Sequence, residues 1–227
     1  MPDVRLHLLG GFELVIDERR TRHIQPAAQR LIALVALARR GVDRDFAASQ
    51  LWPDATEERA RASLRSALWR IGRLPVVLIE RSSSRLWLAD EVWLDARDGL
   101  TDLVEGVGPG LSDTLPFQNL FADLLPDWYD DWLMIEREKM RQLTLGALDV
   151  RARAALERGL PAEAIQVGLT ALAIDPLRES SCRVVAEAHL CEGNQHEARR
   201  MVADYNRRLG LELPDPAYVG SMSLAAG

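Results

Sequence analysis

Residues 51–74 read LWPDATEERARASLRSALWRIGRL, a short turn running into a helix whose two faces differ in kind. At 100° per residue, Ala60, Leu64, Ala67, Leu68, Ile71 and Leu74 share an apolar stripe that packs inward. The opposite face carries Ala62, Arg65, Ser66, Trp69 and Arg73, with Arg59, Arg61 and Arg70 on its flanks. Between residues 59 and 85 stand seven arginines (59, 61, 65, 70, 73, 81 and 85) against a single acid, Glu80. A helix buried on one side and presenting arginine, serine and an indole on the other is shaped to lie on nucleic acid. Arginine-rich faces are also ordinary solvated surface, so Trp69 matters. An indole on a polar face needs a cover, either the hairpin that follows or a DNA backbone.

Outward from this helix the pattern changes period. Upstream, Val4, Leu6 and Leu8 alternate, Gly10-Gly11 interrupts, and Phe12, Leu14 and Ile16 resume before the polar DERR, which predicts short antiparallel strands with one buried face. Pro26 opens a helix over 27–40 that Gly41 ends, and a second helix spans 44–52. Pro53-Asp54 breaks it, and Asp54 with Glu57 predicts a capping box for the third helix, 57–74. Downstream, two β-rich runs in VVLIERSSSRLWLADEVWLD flank Arg81, Ser82, Ser83, Ser84 and Arg85, a hairpin with a basic tip. Strands, three helices and a hairpin make the order of a winged helix-turn-helix preceded by a sheet.

Residues 99–227 carry almost no strand signal; helical periods run over 98–105, 119–125, 127–158, 161–174, 177–192 and 195–209. Ala152, Leu156, Gly159, Glu163 and Ala164 recur 34 residues later as Ala186, Leu190, Gly193, Glu197 and Ala198, the period of a tetratricopeptide repeat. The expected fold is therefore an α+β winged helix-turn-helix over 1–98 followed by an all-α, tetratricopeptide-like helical repeat domain over 99–227. Charge divides at the same place. Residues 1–98 hold 16 arginines and 14 acids, net +2; residues 99–227 hold 12 basic residues and 20 acids, net −8, giving −6 for the chain. An acidic partner domain lowers non-specific DNA affinity and leaves one patch for phosphate contact. Of the 28 basic residues only Lys139 is not arginine, so position counts for more than abundance.

These stretches resemble a known family. QRLIALVALARRGVDRDFAASQLWPD, ASLRSALWRI and SRLWLADEVWLD are similar to the winged-helix half of SARP-type transcriptional regulators. LLPDWYDDWLMIEREKMRQL, LRESSCRVVAEAHLCEGN and HEARRMVADYNRRLGLEL are similar to their bacterial transcriptional activator domain, the BTAD. The resemblance implies a third helix in the major groove and a wing on the flanking backbone. Carried over by position, Arg61, Ser63, Arg65, Ser66, Trp69, Arg70 and Arg73 lie at the groove with Arg59 at its flank, and Arg81 to Arg85 form the wing, although three serines stand where glycine is common. It also implies that the turn from Trp52 through Asp54 to Thr56 touches RNA polymerase; from the residues alone that turn is equally helix punctuation. Expected partners are double-stranded DNA, RNA polymerase and a second copy on tandem sites.

Other chemistry finds little support. The Gly-rich 106–110 lacks a following Lys-Ser/Thr and contains a proline, so it predicts a connector. His7, His23, His189 and His196 are scattered, and Asp130-Asp131 beside Trp128, Tyr129 and Trp132 predicts rings sealing a core with solvated acids. No catalytic set, cofactor or metal is expected. Two cysteines, no apolar run of membrane length and no leader pattern predict a cytoplasmic protein. The alternative is an interaction module that does not bind DNA and holds a protein or peptide in the repeat groove.

Overall fold

The computed structural model describes residues 2–21, 23–105 and 121–210. They form two units, 2–101 with 121–140 and 102–105 with 141–210.

In the first unit the alternating residues become β1 (Val4–His7) and β2 (Glu13–Ile16), antiparallel from Val4 opposite Ile16 to His7 opposite Glu13. Val4, Leu6 and Leu14 are buried on the shared face. Asp17 and Glu18, both with positive φ (48° and 63°), make the two-residue reversal into β3 (Arg19–Arg20). Helix α1 (Pro26–Leu37) inserts Leu31, Ile32 and Val35 into the core. It stops short of the expected residue 40, and Gly41, at φ +70°, turns the chain into β4 (Val42–Asp43). A Cβ on Gly41 would stand 2.4 Å from the Trp87 ring, so this position needs glycine for space as well as for conformation.

Helix α2 (Arg44–Leu51) starts at Asp43, whose carboxylate accepts the N–H groups of Asp45 and Phe46. Helix α3 (Glu57–Ile71) buries Ala60, Leu64, Ala67, Leu68 and Ile71, the stripe expected of it. Two details differ. Thr56, not Asp54, is the N-cap and no side chain caps the helix; and the helix closes at Gly72, leaving Leu74 half-buried in a turn. The hairpin forms from β5 (Ile79–Arg81) and β6 (Arg85–Leu88), with β4 on the other edge of β6. The rest of the second run leaves it. As β7 (Val92–Leu94) it lies parallel to β1, giving a sheet of order β3-β2-β1-β7. Asp95 explains that departure: its buried carboxylate accepts the N–H groups of Leu8 and Leu9, joining the end of β1 to the π-helical turn Asp95–Gly99 that leads into α4 (Leu100–Glu105).

A strap completes this unit. Residues 121–125, expected to be helical, are instead extended or turn: Leu124 bridges Leu9, Gly10 N–H donates to Asp123 O, and Leu125 N–H donates to Leu8 O. The backbone groups beyond β1 would otherwise lack partners, and pairing them outweighs local helix preference. Trp128 stacks on Phe12 at 6.2 Å, and Arg137 donates to the carbonyls of Leu124, Leu125 and Trp128. Asp130, expected to be solvated, is largely buried and ion-paired with Arg30, whereas Tyr129 stays 91% exposed.

Helix α5 (Asp131–Glu157) contributes to the first unit as far as Met140 and to the second beyond it. Helices α6 (Pro161–Ile174), α7 (Glu179–Cys191) and α8 (Gln195–Arg208) follow. The 34-residue register is physical: Ala152 and Ala186, and Ala164 and Ala198, are buried equivalents, and Gly159 and Gly193 turn at φ +72° and +79°. Ion pairs also span one period, Arg141 to Asp175 at 3.4 Å and Arg153 to Glu187 at 2.6 Å. Asp149 accepts hydrogen bonds from Arg178, Ser180 and Ser181. Burial pushes its pKa up, but those donors outweigh burial and hold it below the usual carboxylate range. The expected connector at 106–110 lies outside the described residues, among which no helix is long and apolar enough to cross a membrane.

Candidate nucleic-acid interface

The inward stripe of α3 fixes which side chains face out. Arg59, Arg65, Ser66, Trp69, Arg70 and Arg73 are exposed, and Ser63 is half-buried at the edge of the stripe. Trp69 is 62% exposed, so the hairpin does not cover it. Instead the Arg73 guanidinium sits 5.0 Å from its ring centre, a cation–π contact that keeps indole and charge on the same face. Arg59, Arg65, Arg70 and Arg73 form no ion pair with any described acid. Three guanidinium groups on the outer face of the helix and a fourth, Arg73, in the turn that closes it leave a field that phosphates can satisfy.

Two of the expected arginines are placed differently. Arg61 grips Asp45 of α2 with two hydrogen bonds, at 2.7 and 3.1 Å, and lies 3.6 Å from Glu57. The hydrogen bond from Arg61 holds the Asp45 carboxyl below its ordinary pKa, and the same contact raises that of the guanidinium. This arginine ties α2 to α3. Arg85 donates from one guanidinium nitrogen to the carbonyls of Arg40 and Gly41, at 3.0 and 3.1 Å, and so ties the wing to the end of α1. Both have local reasons: an acid opposite the helix crossing in one case, the unpaired carbonyls beyond a helix end in the other.

At the wing tip, Ser82 does what a glycine turn would do by conformation. Its hydroxyl accepts the N–H groups of Ser84 and Arg85, while its own N–H donates to Arg85 O. Arg81, Ser82, Ser83 and Ser84 are all exposed. Arg44 does not stand out in the sequence, yet it supports the tip, its N–H donating to Ser84 O at 2.9 Å and its side chain reaching Ser82 O at 3.4 Å. Phe46 is equally inconspicuous there; it is 52% exposed on α2. The sequence signal for both is Asp43 as a helix cap, which places the next three residues in a first turn beside the wing. In the turn between α2 and α3, Ala55 N–H donates to Trp52 O, Trp52 is half-buried, and Asp54 and Thr56 are exposed or at the turn's edge.

The family model of the bacterial transcriptional activator domain matches residues 118–217. No curated protein matches the chain by sequence. Among solved structures the chain is similar to Mycobacterium tuberculosis EmbR in complex with a low-affinity phosphopeptide, at 18% identity and a TM-score of 0.67, over 99% of this chain and 65% of that one. At that identity the likeness is one of fold, and this chain spans about 65% of the length of the solved one. It extends through both the winged helix-turn-helix and the tetratricopeptide-like helices. Residues 118–217 thus match the bacterial transcriptional activator domain, and the chain shares its fold with the solved structure.

Proposed function

We propose that the chain binds double-stranded DNA in a sequence-specific manner and activates transcription, with α3 in the major groove and the Arg81–Ser84 tip against the flanking backbone. The observation that carries this reading is the exposed face of α3 and its closing turn, on which Arg59, Arg65, Arg70 and Arg73 pair with no described acid and the indole of Trp69 is 62% exposed. Arg65 and Arg70 are our choices for guanine edges, Arg59, Arg73, Arg81 and Ser66 for phosphates. Arg61 and Arg85 act by positioning: one sets the angle of the two helices, the other the height of the wing. DNA contact falls to residues 1–98, whose core is completed by residues 121–140, and protein contacts to the rest of 99–227, with the Trp52–Thr56 turn meeting RNA polymerase and a second copy recruited on tandem sites. These activities place the protein in the cytoplasm.

Footprinting of genomic fragments tests the reading. A protected site should appear, Arg65→Ala should weaken it by about 1–3 kcal/mol and relax preference at one base pair, and Arg81→Ala should weaken all sequences alike. A correctly folded chain that protects no fragment at low salt would leave the repeat unit as the working part of an interaction module.

A further inference from the structure

We infer that the first unit carries a binding site for a small apolar monocarboxylate, in the cleft between the edge strand β3 and the start of α1. The cleft measures about 730 Å³, within the range of small-molecule sites. Phe12, Leu14 and Ile24 line it with apolar surface, Leu14 being part of the core and the other two half-buried. An apolar body can therefore leave water against them.

The charge of the lining selects the head group. Glu13 pairs with Arg20 at 2.6 Å, so those two cancel. Arg19 lies beside them on the edge strand, exposed and with no ion pair to any described acid. Its nearest sequence acids point to other tasks or none: Asp17 accepts the Asp3 N–H, and Glu18 is not among the lining residues. Among the described lining residues Arg19 is the uncompensated arginine, and a single such charge matches one negative charge, a carboxylate rather than a doubly charged phosphate monoester. Polar groups for orientation are also present. Thr21 lines the cleft with a hydroxyl that can donate, and Gln29 donates one amide N–H to Ile24 O, which leaves the second N–H to donate to a carboxylate. His23 completes the lining and holds φ +65°, a conformation uncommon for a side-chain-bearing residue and one that collects at ligand sites.

The site is separate from the α3 face. It uses none of the residues assigned there, so its test does not depend on DNA binding. The probe is 1-pyrenebutyrate, with 1-pyrenebutanol as the neutral counterpart, titrated into the full chain and followed by pyrene anisotropy and ¹H–¹⁵N spectra. Pyrenebutyrate should saturate at one per chain and shift the amides of Arg19, Thr21 and His23, and the alcohol should bind at least about tenfold more weakly. Arg19→Ala should weaken the acid about tenfold and leave the alcohol and the melting temperature unchanged; Arg39→Ala, an arginine outside the cleft, should change neither. Equal binding of acid and alcohol, or full affinity in Arg19→Ala, overturns the proposal. So does a loss of DNA affinity in Arg19→Ala with pyrenebutyrate binding unaltered, which would assign the arginine to nucleic acid instead.

Discussion

Arginine meets different fates on the α3 face and in the helical-repeat unit, although the first unit also pairs Arg5, Arg20, Arg30 and Arg97 with acids. In the helical-repeat unit Arg141, Arg151, Arg153, Arg178, Arg183, Arg200 and Arg207 each end on a carboxylate. On α3 and in the turn that closes it, Arg59, Arg65, Arg70 and Arg73 end on no described acid, and Arg61, the α3 arginine that does, joins two helices. In a chain with 27 arginines and one lysine, residue type cannot tell structure from binding. The acid supply does. A guanidinium kept without a protein carboxylate retains its full attraction for phosphate, and contact with DNA releases counterions rather than breaking an existing pair.

The largest expected effect comes from removing the strap from the first unit. A fragment ending at residue 98 lacks Leu124, Leu125 and Leu133, all buried, and the Trp128 ring stacked on Phe12. It should show no cooperative melting transition, whereas residues 1–140 should melt cooperatively and keep DNA affinity. Equal folding of the two fragments, read by circular dichroism and ¹H–¹⁵N spectra, would make the strap dispensable.

Next in size is the arginine face itself. Replacing Arg59, Arg65, Arg70 and Arg73 together by alanine should lower DNA affinity by about 10³-fold or more, with little change in melting temperature. The slope of log affinity against log salt should flatten by about 0.9 for each phosphate that the variant no longer neutralises. A steep slope retained by the quadruple variant would move the DNA-binding surface elsewhere.

On the paired side, Asp149→Ala should reverse that pattern, leaving DNA affinity of the folded chain unchanged and destabilising the repeat unit by about 2–3 kcal/mol, because Ser181 and Arg178 are deprived of their acceptor. The pH dependence has a definite sign. The folded pKa of Asp149 lies below its unfolded value, so its contribution is complete above about pH 4 and fades as pH falls through the folded value. Chemical unfolding at pH 7 and below pH 4 should therefore show the wild type converging on Asp149→Asn in acid. The smallest effect sharpens the contrast most. Asp45→Ala breaks the two hydrogen bonds of Arg61, leaves it only the longer contact to Glu57 and removes an acid beside the proposed groove face, and should raise non-specific DNA affinity about threefold at low salt. No rise would mean that Arg61 points away from DNA even when released.

Periodicity makes much of this legible. The α3 stripe, the wing, helix α6 at 161–174 and the 34-residue register all rest on spacing along the chain, and each forms where the spacing puts it. What stays hidden depends on partners distant in sequence. Arg61 meets an acid 16 residues away, Arg85 meets carbonyls 44 and 45 residues away, and β7 leaves the wing because Asp95 caps the end of β1, 86 and 87 residues upstream. Helix preference at 121–125 yields to the open backbone groups beyond β1, and no local pattern marks that need. Spacing alone makes Asp54 a cap, yet the turn at Ala55 places Thr56 at the helix start.

The strap also sets a schedule. During synthesis the sheet, the three helices and the wing leave the ribosome well before Leu124, Leu125 and Leu133, which close their core. At about 5–20 residues per second, the gap between residues 98 and 137 holds the nascent chain unfinished for about 2–8 s. Nascent chains on neighbouring ribosomes thus expose apolar surface in that interval, which makes the strap, rather than α3, the segment on which the soluble yield of this protein turns.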